Sequence, residues 1–414
     1  MSGLSSSSVL IRPLDPSEAM FVPTGLYVGY TTRVRGELDP RALAEAFDLI
    51  RQQYPVLRSQ VVPADGQPVF AATDLPPVIS WRDQESDESL PDLAGRVAAI
   101  QVVRVDARTA LVTLLTHHSA ADGHHSLQLL ADLWESYTAV VEGKSVRPQR
   151  HDYPQSVEQL LDERGITLDD APAASVAPTL PTTAGSTPQS PSATASPDHM
   201  ARVRLTAEQT RALVAIGHQA KTTINGLMSA AIMQATADSA GIGLEEVLYV
   251  YPVDLRRRLT PAVQYTAGTN VLGTAMFVAD SDTPTDTVAL ARAITDRLAG
   301  DLASGEVHRS VLRLPHENFD PAILESPSSV VATNWGIIPP MPTPDTLTID
   351  DFSPSVHQTS QLPGPLGNSA SPPMGGIITT FQGQLTLDVT MAAGDPENLV
   401  DRVGAILAEI LPAA

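Results

Sequence analysis

Cysteine is absent from the 414 residues of the sequence. This absence excludes a disulfide framework, a thiolate nucleophile and a metal site with cysteine ligands. No apolar run reaches the ~18–20 residues that a membrane-spanning helix needs. The amino terminus, MSGLSSSSVLIRPL, lacks the basic and long apolar segments of a secretory signal peptide. Together these absences predict a cytoplasmic protein without a transmembrane segment.

Positive charge is also scarce. The chain has 26 lysine and arginine residues against 47 aspartate and glutamate residues, so its net charge at pH 7 is −21. Nucleic-acid binding requires clustered cations that neutralise phosphates, and attachment to an anionic membrane surface has a similar requirement. The charge balance therefore argues against nucleic acid as a partner and against a protein held on a membrane by charge.

One segment separates the chain into two parts. Residues 171–197 contain no charged residue and consist mainly of alanine, proline, serine and threonine. Such a segment cannot bury enough apolar surface to offset the entropy that ordering would cost. We therefore interpret residues 171–198 as a linker between an amino-terminal domain, residues 1–170, and a carboxy-terminal domain, residues 199–414.

Both parts mix strand and helix patterns. In the first part, strands are predicted at residues 26–34, 101–105 and 109–115, and helices are predicted to begin after Asp39 and after Gly123. In the second part, helices are predicted at residues 206–219, 223–239, 286–302 and 397–411, and strands at residues 247–253, 269–278, 328–333, 375–381 and 384–390. Residues 354–373 are rich in proline and are interpreted as a long loop. The pattern predicts an α/β or α+β pseudo-dimer of two similar halves.

The sequence HHSAADG at residues 117–123 stands between a predicted strand and a predicted helix. Such a junction is a rigid place for a catalytic group, and a neutral imidazole there can accept a proton near pH 7. From the residues alone, His117 and His118 can also be a satisfied surface or core pair, which is the usual role of a histidine pair at a strand end. Asp122 can hold the loop rather than touch a ring, and Gly123 fits a position that a Cβ atom would obstruct.

The same region can also be interpreted as a metal site, because imidazoles bind zinc and His124 and His125 lie close in sequence to the first histidine pair. However, adjacent residues on a strand point to opposite faces, so His117 and His118 do not easily share one ion. Since no cysteine assists them, the sequence predicts no metal site.

The pattern HHxxxDG resembles the signature of the condensation-domain superfamily of acyltransferases, which includes chloramphenicol acetyltransferase-like enzymes. Three further blocks are similar to the polyketide-associated acyltransferases typified by phthiocerol/phthiodiolone dimycocerosyl transferase. These blocks are LDPRALAEAFDLIRQQYPVLR at residues 38–58, YPVDLR at residues 251–256 and TNVLG at residues 269–273. The resemblance covers nearly the whole chain outside the linker.

This resemblance implies two chloramphenicol acetyltransferase-like halves that form a pseudo-dimer with a tunnel between them. It implies an O-acyltransferase of lipid or polyketide biosynthesis that needs no cofactor. The acyl donor would be a thioester on coenzyme A or on the phosphopantetheine of an acyl carrier protein, and the acceptor would be an alcohol. His118 would be the general base, while His117, Asp122 and Gly123 would be structural members of the motif. A monomer is expected.

The resemblance leaves two residues with alternative roles. Condensation domains carry an arginine near their start that pairs with the motif aspartate, and Met20 stands in the aligned position here. Arg256 either replaces that partner of Asp122 or, with its two arginine neighbours, binds a phosphate of the donor; a solvated loop is the third possibility. Asn270 is predicted to line the tunnel and donate to substrate, although an asparagine there can also simply cap a turn.

Two other functions remain open at this stage. The same site can form an amide if the acceptor is an amine. Alternatively, the chain can be a superfamily member that docks a carrier protein or closes rings without transferring an acyl group. The intact second histidine of the motif argues against this second alternative.

Overall fold

The computed structural model describes residues 9–83, 90–168, 200–314, 328–359, 374–391 and 394–412. Strands occur at β1 Leu10–Pro13, β2 Leu26–Gly36, β3 Ser59–Ala64, β4 Gln67–Ala72, β5 Ile79–Asp83, β6 Ala98–Arg104, β7 Thr109–His117, β8 Ala201–Arg204, β9 Leu248–Asp254, β10 Leu272–Phe277, β11 Ser329–Ile337, β12 Leu347–Gln358, β13 Met374–Phe381 and β14 Gln384–Met391. Helices occur at α1 Pro16–Ala19, α2 Pro40–Gln53, α3 Gly123–Val141, α4 Val157–Asp162, α5 Ala207–Ala220, α6 Ile224–Ala240, α7 Thr287–Ala303, α8 Glu306–Arg313 and α9 Pro396–Ile410.

Capping residues set the starts of the helices that the sequence predicts most clearly. The Asp39 side chain accepts a hydrogen bond from the backbone N–H of Arg41 at 2.8 Å, and Pro40 is the first residue of α2. At α5, the Thr206 hydroxyl accepts from the backbone of Gln209 at 3.1 Å, and the Gln209 side chain accepts from the backbone of Thr206 at 2.9 Å. Each such cap contributes about 1 kcal/mol. The predicted starts of α2 and α5 are therefore confirmed.

The chain divides into two units. The first comprises Met1–Leu160, Arg256–Val271 and Pro339–Gly364, and the second comprises Leu161–Leu255, Leu272–Ile338 and Pro365–Ala414.

In the first unit, one sheet has the strand order β12-β2-β7-β6-β5 and a smaller sheet has the order β1-β4-β3. Strand β7 lies between β2 and β6, and both neighbours are antiparallel to it. Helix α2 contacts α3, and each buries an apolar stripe. The stripe of α2 includes Leu43 and Phe47, and that of α3 includes Trp134 and Tyr137, all 0% exposed. Burying one such side chain contributes about 1.5–3 kcal/mol. Strand β7 ends and α3 begins at the histidine motif.

In the second unit, one sheet has the strand order β10-β9-β11-β13-β14-β8. Strand β11 is parallel to both of its neighbours, β9 and β13, and the remaining pairs are antiparallel. Helix α6 contacts both α7 and α9, and its side chains from Leu227 to Met233 are buried. Within the described ranges of the chain, no helix is both long enough and apolar enough to span a membrane.

The division of the chain differs in detail from the predicted domains. Two segments from beyond residue 198 belong to the first unit, because β12 pairs with β2 over its whole length and Arg256–Val271 bonds to the histidine motif. A local sequence pattern cannot show that a later segment of the chain packs into the first unit. The predicted linker, residues 171–198, lies outside the described residues, so its role as a boundary stays a prediction.

Two predicted elements are corrected by the structure. Residues 354–358 belong to β12 rather than to a loop, and Pro354 is tolerated there because β12 is an edge strand whose residues need not all donate. The rest of that predicted loop, residues 360–373, lies outside the described residues. The predicted strand at residues 269–278 begins only at Leu272, because the backbone of residues 269–271 bonds to other segments.

Candidate active site

The histidine motif occupies the turn between β7 and α3. His117 is the last residue of β7, and Gly123 is the first residue of α3. The backbone N–H of His118 donates to the carbonyl of Leu26 at 2.8 Å, and the Ser119 hydroxyl donates to the carbonyl of Glu18 at 2.6 Å. The turn is therefore held by β2 and α1 of the same unit. The predicted obstruction of a Cβ atom at Gly123 stays a prediction.

His117 is 4% exposed, and its ring packs edge-on against Tyr27 with the ring centroids 4.9 Å apart. Its Nδ1 accepts a hydrogen bond from the backbone N–H of Ser119 at 3.2 Å. Burial, with a smaller contribution from the neighbouring His118, lowers the pKa of His117 to about 3. His117 is therefore neutral at pH 7, and its role as a structural member of the motif stays a prediction.

His118 has different neighbours. Its ring is half-buried and stacks on the ring of Phe21, with the centroids 4.0 Å apart and the planes inclined by 13°. Its Nδ1 lies 3.0 Å from Oδ1 of Asn270. The two histidines contact different groups, as the alternation of side chains at a strand end predicts.

The hydrogen bonds of Asn270 determine which ring nitrogen of His118 carries the proton. The amide nitrogen of Asn270 donates to the carbonyl of His118 at 2.8 Å and to the carbonyl of Ser119 at 3.4 Å. Carbonyl oxygens only accept, so the nitrogen of the amide must face them and Oδ1 must face the ring. Since Oδ1 also only accepts, Nδ1 of His118 is the protonated nitrogen. The lone pair of the imidazole is therefore on Nε2.

The protonation equilibrium of His118 favours the neutral ring. Burial lowers the pKa of His118, and this effect exceeds the opposing effects of a backbone hydrogen bond, the charge of Asp122 and the Asn270 side chain. The imidazole is thus neutral at pH 7, and Nε2 is its acceptor nitrogen. Such a group can remove a proton from a substrate at that pH.

Asp122 makes structural contacts with a second segment of the unit. Its Oδ2 lies 2.7 Å from Nη1 of Arg256 and accepts from the backbone N–H of Val271 at 3.0 Å. Its Oδ1 accepts from the backbone N–H of His125 at 3.0 Å and caps α3. Burial alone raises the pKa of Asp122, but the charge and hydrogen bond of Arg256, together with smaller effects of His124 and the backbone of His125, outweigh burial and leave the pKa below its ordinary value.

The predicted pairing of Arg256 with Asp122 is confirmed. Both side chains are 0% exposed, and Arg256 also donates to the carbonyls of Tyr265 and Gly268. The alternative role of Arg256 in binding a donor phosphate stays a prediction, and the complete burial of its side chain does not favour it. The predicted role of Asn270 as a donor to substrate stays a prediction; in the structure its amide nitrogen donates to the carbonyls of His118 and Ser119.

The segment that carries Asn270 is held on several sides. Gln155 bonds to the backbone of the residues on either side of Gly268, at 2.9 Å in each case. Nδ1 of His125 lies 3.0 Å from the carbonyl of Gly268, and the Thr269 hydroxyl donates to the Glu18 carboxylate at 2.7 Å. These contacts replace the strand pairing that the sequence predicts at residues 269–271.

The four histidines of this region, at positions 117, 118, 124 and 125, do not converge on one point. His124 stacks with Tyr265 at 5.8 Å, while His117, His118 and His125 bond to three other groups. In the part of the chain that the structure describes, no group of three histidine, aspartate or glutamate side chains has the arrangement of a metal site.

Sequence reasoning missed two residues of the site. Phe21 covers the ring of His118, and Glu18 is 0% exposed and accepts from both terminal nitrogens of Arg12 at 2.7 Å. The aspartate-proline pair at the start of α1, with a glutamate three residues after that aspartate, is a helix-start signal that leads to Glu18. No local pattern indicates that Phe21 reaches the motif.

The chain is similar to proteins of one family along most of its length. Residues 194–390 match the family model described as phthiocerol/phthiodiolone dimycocerosyl transferase C-terminus. A phthiocerol/phthiodiolone dimycocerosyl transferase of Mycobacterium sp. (strain JLS) is 34% identical over 356 residues, which are 83% of this chain and 86% of that protein. Polyketide synthase associated protein 5 from Mycobacterium tuberculosis has a structure with a TM-score of 0.79 and 27% identity, covering 97% of this chain and 98% of that chain.

More distant structures share the fold alone. Trichothecene 15-O-acetyltransferase from Fusarium sporotrichioides has a TM-score of 0.65 at 13% identity, covering 99% of this chain and 96% of that one, and condensation domains are similar to a comparable degree. The fold is chloramphenicol acetyltransferase-like, and the named transferase relatives show an acyltransferase, as the sequence predicts. The chain belongs to the phthiocerol/phthiodiolone dimycocerosyl transferase family.

Proposed function

We propose that this acyltransferase moves an acyl group from a thioester to an alcohol and that His118 is its general base. The observation that carries the proposal is the hydrogen bond from Nδ1 of His118 to Asn270, which leaves the lone pair on Nε2. The named relatives are dimycocerosyl transferases, which supports a long-chain acyl group and an alcohol in lipid biosynthesis.

The proposed reaction needs no covalent acyl-enzyme. Nε2 of His118 removes the proton of the hydroxyl group while the hydroxyl oxygen attacks the thioester carbonyl carbon. The tetrahedral intermediate then collapses, the carbon–sulfur bond breaks, and the thiolate takes the proton from Nε2. The products are an ester and a thiol, and the imidazole returns to its neutral form. Holding both substrates in reach of one base supplies a large part of the rate.

The donor is proposed to be coenzyme A or the phosphopantetheine of an acyl carrier protein, with no further cofactor. A monomer in the cytoplasm is the proposed state of the protein. An amine acceptor is the second candidate, because a neutral Nε2 can remove a proton from an attacking amine equally well.

The test is product analysis with purified protein. The protein is offered a long-chain acyl-coenzyme A or the same acyl group on a carrier protein, each with a long-chain diol and with the matching diamine. Mass spectrometry should find ester with the diol and little amide with the diamine. His118→Ala should abolish most of this product. Amide as the main product would favour the second candidate, and thiol release without an acylated acceptor would contradict transfer.

A further inference from the structure

We infer that Asn270 is a positioning residue for the general base, and that Asp122 influences His118 through the segment that carries Asn270. The inference rests on the proposed function, because it explains how the ring of His118 is kept ready to accept a proton. Asn270 is not a catalytic residue, since its polar atoms contact the enzyme's own groups.

The first observation is that Asn270 holds the ring and the backbone of His118 at the same time. Its Oδ1 accepts from Nδ1 of the ring at 3.0 Å, and its nitrogen donates to the carbonyl of the same residue at 2.8 Å. One buried side chain, 4% exposed, thereby fixes the ring orientation and the tautomer. The partner of the non-reacting nitrogen decides which nitrogen of a histidine is free.

The second observation is that Asp122 bonds to the residues on both sides of Asn270. Its carboxylate accepts from Val271, the residue after Asn270, and its backbone N–H donates to the carbonyl of Thr269, the residue before it, at 2.9 Å. Arg256, the ion-pair partner of Asp122, donates to the carbonyl of Gly268 at 3.3 Å. The motif aspartate thus fixes both neighbours of Asn270. This arrangement explains how Asp122 contributes to the site while its carboxylate bonds to other groups.

The third observation is that the Asn270 amide supplies both an acceptor for Nδ1 and a donor for the His118 carbonyl, whereas side chains of similar shape do not supply both. Leucine has a similar shape but offers no acceptor to Nδ1 and no donor to the His118 carbonyl. Aspartate keeps an acceptor for Nδ1 but loses the donor. Comparing Asn270→Leu with Asn270→Asp therefore separates the tautomer-setting contact from the backbone contact at one position.

The experiment measures the tautomer of His118 directly by nitrogen-15 NMR of protein with labelled histidine. The His118 signals are identified by their absence in His118→Gln. In the unaltered protein the proton should be on Nδ1. In Asn270→Leu the ring should become a mixture with the proton partly on Nε2, and kcat should fall roughly 10- to 100-fold with little change in KM. Asn270→Asp should keep the proton on Nδ1.

A neighbouring variant controls for general loosening of the segment. Thr269→Val removes the hydrogen bond to Glu18 but leaves the amide of Asn270 in place, so it should lower the melting temperature and retain the Nδ1 proton. Asp122→Asn keeps the backbone contact to Thr269 but weakens the carboxylate contacts to Val271 and Arg256, so it should mix the tautomers although its side chain does not bond to the ring.

The outcomes for this inference and for the proposed base are distinguishable. If folded Asn270→Leu keeps the Nδ1 proton and the full kcat, the positioning role is wrong, even where His118→Ala is inactive. If Asn270→Leu shifts the proton while His118→Ala transfers acyl groups at the normal rate, the positioning contact stands and the proposed base is wrong. An unchanged tautomer in Asp122→Asn would contradict the influence of Asp122 on Asn270.

Discussion

Asp122 and Arg256 form an ion pair in which both side chains are 0% exposed, with Oδ2 and Nη1 2.7 Å apart. The two residues are far apart in sequence, and the pair joins the cap of α3 to the segment that carries Asn270. Removing one partner would leave the other charge buried without compensation.

We therefore predict that Asp122→Ala and Arg256→Ala each lower the free energy of unfolding by about 3–5 kcal/mol. The double variant should lose much less than the sum, because the second substitution removes the charge that the first one left unpaired. Urea unfolding of the four proteins at pH 7 gives the comparison. Additive losses would show that the two side chains do not depend on each other.

The pH dependence of stability follows from the buried histidines. The pKa is about 3 for His117 and about 4 for His125, and burial is the main cause in both cases. In the unfolded chain these rings titrate near their ordinary value of about 6.5. The unfolded state therefore binds more protons, and the free energy of unfolding must fall as the pH drops from about 6.5 toward 4.

The matched variant for this prediction is His117→Asn, whose Oδ1 can accept from Ser119 in place of Nδ1. Its free energy of unfolding should depend on pH less steeply between pH 6.5 and 4, by about the equivalent of one proton. Urea unfolding at pH 7, 6 and 5 measures the slopes. Equal slopes for the variant and the unaltered protein would mean that His117 is not buried in its neutral form.

Phe21 is expected to affect the pH profile of the reaction. It stacks on the ring of His118 and contributes to the burial that lowers the pKa of that ring. In Phe21→Ala water reaches the ring, the pKa of His118 rises, and the acid limb of kcat/KM should move to higher pH. Phe21→Trp keeps an aromatic face on the ring and is the control. An acid limb that is identical in all three proteins would contradict this role.

Short-range signals in the sequence predicted much of the fold. Asp39 with Pro40, and Thr206 with Gln209, specify helix starts because their bonds lie within a few residues. The prediction failed at residues 269–271, where a strand-like pattern is overridden by bonds to Gln155 and Asp122. It also failed at Pro354, because only the pairing of β12 with β2 shows that this proline lies on an edge strand.

The sequence predicts the histidine motif of the site. It does not predict which residues contact His118. Met20 indicated that the arginine usually paired with the motif aspartate is missing, which led to Arg256 as the substitute. The stacking of Phe21 on His118 and the hydrogen bond between Asn270 and His118 join segments that are far apart in sequence. No periodicity or spacing carries that information.

The central claim is that Nε2 of His118 accepts the proton of the attacking group. The most direct measurement is the single-turnover rate of acyl transfer at saturating substrates for the unaltered protein, His118→Ala and His117→Asn, each checked for folding by its melting curve. His118→Ala should be slower by about 10²–10⁴-fold, the range for loss of a general base, and His117→Asn should stay much closer to the unaltered rate. Equal losses in two folded variants, or full activity in His118→Ala, would contradict the account.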